Sequence, residues 1–207
     1  EQELGKNVKY ALVIDAGTGS CRSILFDADG NAVAQAQRDW SYEEDQNVDG
    51  AVLFDPEQFF DIVLDCLRQT VHGAMDAKVD PADILTVCVT SQREGMVYLD
   101  SSGSEIYCAP SLDLRGAAVL PCLAPHEESI YQTTGLPLHG MFGLARLVWF
   151  KRHAPETYQK IHTVLMLSDW IAYRLSGVKA SEPSVASSSQ MFDIHTLQFA
   201  AELMDLL

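Results

Sequence analysis

The 207-residue sequence lacks several short signals that assign a function on their own. It contains no Gly-Lys-Ser or Gly-Lys-Thr, which excludes a P-loop, and it has no C-x-x-C pair. Its six histidines show no metal-ligand spacing. No apolar run is long enough to cross a bilayer, and the polar residues 1–7 differ from a signal peptide. The sequence therefore predicts no dithiol or metal–histidine centre and no membrane partner.

Positive charge is also scarce. Lysine and arginine together number 14 against 29 aspartates and glutamates, which gives a formal net charge of −15. A surface with this charge repels nucleic-acid phosphate, so we expect no nucleic-acid partner. The five cysteines are odd in number and scattered, as is typical of reduced thiols, and we expect a cytoplasmic protein.

The most informative feature that is present lies in residues 10–27, where two apolar strands flank a polar turn. The turn consists of small residues, namely Gly17, Thr18, Gly19 and Ser20. Glycines let a backbone approach a bulky anion, hydroxyls can face phosphate oxygens, and Asp15 could hold a divalent ion. Arg22 occupies the third glycine position of a dinucleotide fingerprint, which excludes that motif. An ordinary hairpin with a glycine-rich turn explains the stretch equally well.

The order of predicted elements indicates an α/β domain with a mixed β-sheet flanked by helices. Residues 84–90 are predicted as a buried strand, and a helix begins at Pro56 and ends before Gly73. Ser168 is predicted to cap a helix over 169–175 that Gly177 closes. The other expected elements are strands over 10–14, 23–26, 32–38, 96–99, 105–108 and 162–167, helices over 143–153 and 199–207, and a loop over 181–190.

Two further segments carry polar residues suited to a polyol. Gln92-Arg93-Glu94 follows a predicted strand, and together Arg93 and Glu94 offer donors and acceptors to neighbouring hydroxyls. A surface turn with a salt bridge is the alternative. Asp113, in Asp113-Leu-Arg115, could hold another hydroxyl or could cap a helix beside a solvated arginine.

In combination these segments resemble the FGGY family of carbohydrate kinases. The matching segments are Asp15-Ala-Gly-Thr-Gly-Ser20 with Arg22 and Phe26-Asp27, Ser91-Gln-Arg-Glu94, Asp113-Leu-Arg115, Ser168-Asp-Trp-Ile-Ala-Tyr-Arg-Leu-Ser-Gly177, and Ser184-Val-Ala-Ser187 with Met191-Phe-Asp193. The resemblance implies the actin and hexokinase-like (ribonuclease H-like) ATPase fold. It implies that residues 1–207 are the sugar-binding N-terminal domain. The ATP-binding domain and the general base would lie beyond Leu207, so this chain alone should be inactive.

The same resemblance implies roles for particular residues. Mg²⁺ and the phosphates of ATP would be held by Asp15, Gly17, Thr18, Gly19, Ser20 and Arg22, with Asp15 serving the metal. The substrate would be held by Gln92, Arg93, Glu94, Asp113 and Met141. The expected partners are a small sugar or polyol and ATP, and the chain could form a homodimer.

Two departures from the family bear on the substrate. Ser111 stands where glycerol and xylulose kinases have Trp, and Met141 stands where glycerol kinases have Tyr, which predicts a roomier, less aromatic pocket. The chain most resembles the autoinducer-2 kinases, which act on a small branched dihydroxy-dione, in Arg93-Glu-Gly-Met-Val97, Cys108-Ala109 and Ser168-Asp-Trp-Ile-Ala-Tyr173. A xylulose kinase-like pentulose kinase and a non-catalytic sugar-sensing module remain alternatives.

Overall fold

The structure, a computed structural model, describes residues 9–204 and 206. Its strands are β1 Tyr10–Ala16, β2 Ser20–Phe26, β3 Ala32–Asp39, β4 Glu43–Glu44, β5 Val52–Leu53, β6 Ile84–Ser91, β7 Met96–Leu99, β8 Glu105–Ala109, β9 Thr163–Met166, β10 Phe192–Asp193 and β11 Gln198–Phe199. Its α-helices are α1 Pro56–Asp76, α2 Leu120–Leu123, α3 Glu127–Thr134, α4 Gly143–His153, α5 Pro155–Tyr158, α6 Leu167–Ser176, α7 Pro183–Ala186 and α8 Ala201–Met204. None of the helices described is both long and apolar enough to cross a membrane.

The chain divides into two compact units. Of the described residues, the first unit comprises 9–41 and 57–91 and is built on a four-stranded sheet of order β3-β2-β1-β6. β1 is antiparallel to β2 and parallel to β6, so the predicted mixed sheet is confirmed. Helix α1 covers one face of this sheet, and Leu12 and Leu25 lie in the hydrophobic core between the sheet and the helix. Thr70 of α1 donates to the Ser23 carbonyl oxygen at 3.1 Å.

Of the described residues, the second unit comprises 42–56, 92–204 and 206 and contains a three-stranded antiparallel sheet of order β8-β7-β9. Helix α4 begins and ends as predicted, and its first eight residues are all buried. Gly116 lies so close to the loop before α4 that an added Cβ would stand 2.5 Å from the Gly140 carbonyl oxygen. Only a residue without a side chain allows this approach.

Several predicted elements are wrong in detail. β6 is not buried: Leu85 and Val87 are 59% and 48% exposed, because β6 is an edge strand of the described sheet and α1 does not cover these side chains. Helix α1 continues past Gly73 to Asp76, because Ala74 is buried in the core and packing outweighs the low helix propensity of glycine.

Near the end of the chain, α6 begins at Leu167, so Ser168 lies inside the helix and makes no capping hydrogen bond, whereas Gly177 closes the helix as predicted. Residues 181–190 contain α7 and a 3-10 turn rather than only a loop. Helix α8 is shorter than the predicted 199–207, of which residues 205 and 207 lie outside the described residues.

Candidate functional site

The predicted phosphate turn, residues 17–19, connects β1 and β2 in the first unit. Thr18 and Gly19 are exposed. Trp40, which follows β3, donates its backbone N–H to the Gly19 carbonyl oxygen and its indole N–H to the Thr18 carbonyl oxygen, both at 3.2 Å. The indole also stacks on Phe59, with ring centroids 3.8 Å apart. Two carbonyl oxygens of the turn are thus fixed by one aromatic residue, which no sequence motif indicated.

Asp15 and Arg22 lie directly opposite each other on β1 and β2, so their side chains share one face of the sheet. Side chains alternate between the two faces along β1, and the buried Leu12 lies on the face that α1 covers. Asp15 therefore lies on the face opposite α1. The register places Thr90 of β6 beside Asp15 and Gln37 of β3 beside Arg22. Arg22 Nε donates to Gln37 Oε1 at 3.4 Å. A polar row therefore crosses the sheet and includes the predicted metal-binding carboxylate.

The glycines of this turn are not required by its backbone geometry. Neither Gly17 nor Gly19 has a positive φ. An added Cβ would meet nothing within 4 Å at Gly19 and would make an ordinary contact at Gly17, 3.5 Å from the Ser20 carbonyl oxygen. The space above the turn is open, as the close approach of a large anion requires.

The predicted substrate turn, residues 92–95, lies in the second unit. Arg93 is exposed at its apex, and its Nη2 donates to the Ser184 carbonyl oxygen at 2.7 Å. Glu182 caps α7, and hydrogen bonds from Ser184, with a smaller effect of the Arg93 guanidinium, hold the pKa of Glu182 below its ordinary value. Glu94 is half-buried. Arg93 is thus anchored on one side by the start of α7.

Gln92 is buried, and its amide is bonded to protein groups at both ends. Its Oε1 accepts from Ser111 N at 2.9 Å and from Ser111 Oγ at 2.8 Å, while its Nε2 donates to Tyr42 Oη at 2.9 Å. Because protein groups already bind both ends of the Gln92 amide, little of it remains for the predicted direct contact with a substrate.

Asp113 is fully buried, and Arg115, for which a solvated position was one of the two interpretations, is buried as well. It accepts hydrogen bonds from Tyr107 Oη, from Arg115 Nε at 2.7 Å and from Arg115 N at 3.1 Å. Burial raises the pKa of Tyr107 well above its ordinary value, so the phenol stays protonated and donates. A contact between Asp113 and a substrate hydroxyl would require this cluster to open.

The Arg115 side chain completes the cluster. Its guanidinium carbon lies 4.8 Å from the ring centroid of Tyr107, 4.9 Å from that of Trp149 and 5.3 Å from that of Phe150. Its Nη2 has no hydrogen-bond partner among the described residues. Aromatic faces can stabilise a cation in the absence of such a partner.

Arg146, which sequence reasoning missed, holds the segment that contains Ser111 and Asp113. This arginine of α4 is fully buried, and its Nη2 donates to the Pro110 carbonyl oxygen at 2.9 Å. The same oxygen accepts from Asp113 N at 3.2 Å. The only sequence signal is a charged residue among the apolar positions of a helix.

Met141 is half-buried in the loop before α4, and its N–H donates to His139 Nδ1 at 3.3 Å. The neighbouring Gly140 packs against the backbone of Ala117, so this loop lies beside the helical turn that follows Asp113. The structure thus brings together Gln92 with Ser111, and the Met141 loop with the residues after Asp113. The predicted phosphate residues form a separate group in the other unit.

Comparisons with known proteins agree with these motifs. A family model described as "FGGY family of carbohydrate kinases, N-terminal domain" matches residues 10–207. Autoinducer-2 kinase from Escherichia coli is 32% identical over 98% of this chain and 38% of its own length. The chain therefore spans less than two fifths of the length of this curated relative.

Solved structures of the family share the fold. The gluconate kinase of Lactobacillus acidophilus and the xylulose kinase of Rhodospirillum rubrum both give a TM-score of 0.84 at 24% identity. Each comparison covers 96% of this chain, against 39% and 41% of the respective structure. Because the family match extends over nearly the whole sequence, the chain belongs to the FGGY family of carbohydrate kinases.

Proposed function

We propose that the complete protein is a kinase that transfers the γ-phosphoryl group of Mg-ATP to a hydroxyl of a small sugar-like substrate. By the complete protein we mean the longest natural polypeptide that contains this chain. The observation that carries the proposal is the family match over residues 10–207. Phosphoryl transfer depends mostly on positioning and charge neutralisation, so the roles of this chain are to orient phosphates and to hold the acceptor.

The first unit has groups suited to the phosphates. The space at Gly19 admits a bulky anion, and Arg22 supplies positive charge on the same face as Asp15. Asp15 would serve Mg²⁺ either directly or through bound water. Among the described residues no cluster of three metal-ligating side chains occurs. A single carboxylate fits an ion that keeps several waters and binds mainly to phosphate oxygens.

For the acceptor, we propose the branched dihydroxy-dione on which autoinducer-2 kinases act. The support is the 32% identity to such an enzyme across 98% of this chain. Arg93 is exposed and Glu94 half-buried, so the donors of Arg93 and the carboxylate of Glu94 can reach a hydroxylated ligand. We assign direct contact with the acceptor to Arg93 and Glu94.

The test is a coupled assay of ADP release by the complete protein with the dihydroxy-dione, xylulose, ribulose and glycerol. We expect the highest kcat/KM with the dihydroxy-dione. A preference for xylulose or ribulose would support a pentulose kinase instead. Absence of turnover with every acceptor, together with retained acceptor binding, would replace the kinase by the sugar-sensing alternative.

A further inference from the structure

We propose that Gln92 is a positioning residue, held by Ser111 and Tyr42, and that this three-residue clamp sets the affinity for the acceptor by fixing the turn that presents Arg93 and Glu94. The inference rests on the proposed function and deepens it. It assigns a role to Tyr42 and Ser111, and it changes the role of Gln92 from ligand contact to support of the turn.

The orientation of the Gln92 amide follows from its partners. A backbone N–H can only donate, so the Gln92 atom that faces Ser111 N, 2.9 Å away, must be the carbonyl oxygen. The Ser111 hydroxyl donates to the same oxygen at 2.8 Å. The amide nitrogen is then left to donate to Tyr42 Oη at 2.9 Å. A flipped amide would place a donor against a donor, so the clamp admits one orientation.

The stem of Gln92 is also constrained. An added Cβ at Gly95 would stand 3.2 Å from Gln92 Cγ and 3.0 Å from Leu167 Cβ. The turn therefore closes tightly around the Gln92 side chain, which is 8% exposed. Arg93 and Glu94 lie between these two packed residues, so their backbone positions depend on the clamp.

The clamp connects to the second segment of the site. Ser111 follows Pro110, whose carbonyl oxygen accepts hydrogen bonds from Arg146 Nη2 and Asp113 N. Buried groups thus fix Ser111, and Ser111 fixes Gln92. A substrate-binding turn that is held in advance binds its ligand with a smaller loss of conformational freedom.

The first experiment tests the clamp without any activity. In the ¹⁵N-labelled chain, the side-chain amide signal of Gln92, assigned by its loss in Gln92→Met, should exchange slowly with solvent. Tyr42→Phe and Ser111→Ala should each accelerate that exchange at least severalfold, whereas the matched changes Tyr131→Phe and Ser176→Ala, on α3 and α6, should not. Equal exchange in wild type and both clamp variants would overturn the clamp.

The second experiment tests its role in the complete protein. Because each variant removes one hydrogen bond of the clamp, Ser111→Ala and Tyr42→Phe should each raise KM for the acceptor roughly 3- to 10-fold, with little change in kcat or in KM for ATP. In a Gln92→Met background the same changes should have no further effect, because both act through Gln92. Ser111→Thr, which keeps the hydroxyl, should restore KM.

The outcomes separate the two proposals. An active wild type whose KM does not respond to the clamp variants, or responds equally in the Gln92→Met background, overturns this inference and leaves the kinase intact. A wild type without turnover overturns the kinase, and with it the assigned role, while the exchange measurement still reports whether the clamp exists.

Discussion

Two turns of this chain carry part of its predicted site, and they are held in different ways. The turn at residues 17–19 is placed by the strand ladder of β1 and β2 and by Trp40, and an added Cβ would meet nothing within 4 Å at Gly19. The turn at residues 92–95 is held by side-chain hydrogen bonds of Gln92 and by tight packing at Gly95. The first turn is held through its backbone and the second through a buried side chain and tight packing, so substitutions should affect them differently.

The largest effect is expected at Asp15. In the complete protein, Asp15→Asn should lower kcat about 100-fold or more, because a carboxylate that positions the metal–phosphate group contributes several kcal/mol. KM for the acceptor should change little, since the role proposed for Asp15 is toward the metal and the phosphates. Steady-state kinetics measure both quantities. Asp39→Asn, at the exposed end of β3, is the control. A near-normal kcat would make Asp15 a structural residue of β1.

A smaller effect, confined to the acceptor, is expected at Glu94. Glu94→Ala should reduce kcat/KM for the acceptor roughly 10- to 100-fold, because the hydroxyls it serves lose a charged partner worth about 1–3 kcal/mol. KM for ATP should stay within about twofold, because the interaction that is removed is made with the acceptor and not with ATP. Unchanged kinetics would favour the surface salt-bridge interpretation of Arg93 and Glu94.

The two glycines provide the most direct comparison of the turns. Gly95→Ala should destabilise the chain by about 1–3 kcal/mol, because the new Cβ meets Leu167 and Gln92 at 3.0 and 3.2 Å. Gly19→Ala should change the free energy of unfolding by less than about 0.5 kcal/mol, since it meets nothing. In the complete protein Gly19→Ala should nevertheless raise KM for ATP. Urea unfolding and ATP kinetics would measure this, and a strongly destabilised Gly19→Ala would contradict it.

The smallest effect concerns pH. Asp169 lies in the first turn of α6, next to the substrate turn, since Leu167 N donates to the Gly95 carbonyl oxygen at 2.8 Å. Burial raises the pKa of Asp169 in spite of a hydrogen bond from Ser181. The folded state therefore holds the Asp169 proton more tightly than the unfolded state, and stability is lost as pH rises from the ordinary carboxyl range through the folded pKa.

Asp169→Asn keeps an acceptor for Ser181 and removes this titration. The variant should gain stability relative to wild type as pH increases from about 4 to about 7, the range above the ordinary Asp pKa. Urea unfolding across this range would measure the difference. A difference that is constant with pH would contradict the assignment.

Short-range patterns predicted the first turn well. The strands β1 to β3, helix α4 and the closure of α6 at Gly177 follow from periodicity and capping residues that lie within each segment. The register that places Asp15 opposite Arg22 also follows from the short turn between β1 and β2. In each case residues close together in the sequence determine the local structure.

The sequence did not predict which polar groups are buried, because burial depends on distant partners. Asp113 resembles a helix cap beside a solvated arginine until Tyr107 donates to it and the rings of Tyr107, Trp149 and Phe150 surround Arg115. Gln92 resembles a ligand contact until Ser111 and Tyr42 bind its amide. The apolar sequence of β6 does not distinguish an edge strand from a central one, so the exposure of β6 could not be predicted.

The exposed strand β6 also has a consequence for handling the chain. In the described part of the molecule, β6 pairs with β1 on one side, and its other side presents backbone groups beside Leu85 and Val87. Such a rim is a template for adding strands from other molecules. The net charge of −15 opposes that encounter. At 0.1 M salt the repulsion is largely screened at separations beyond about 10 Å. Preparations of this chain should therefore remain monodisperse longest in dilute, low-salt buffer and should aggregate as ionic strength rises, which light scattering would detect.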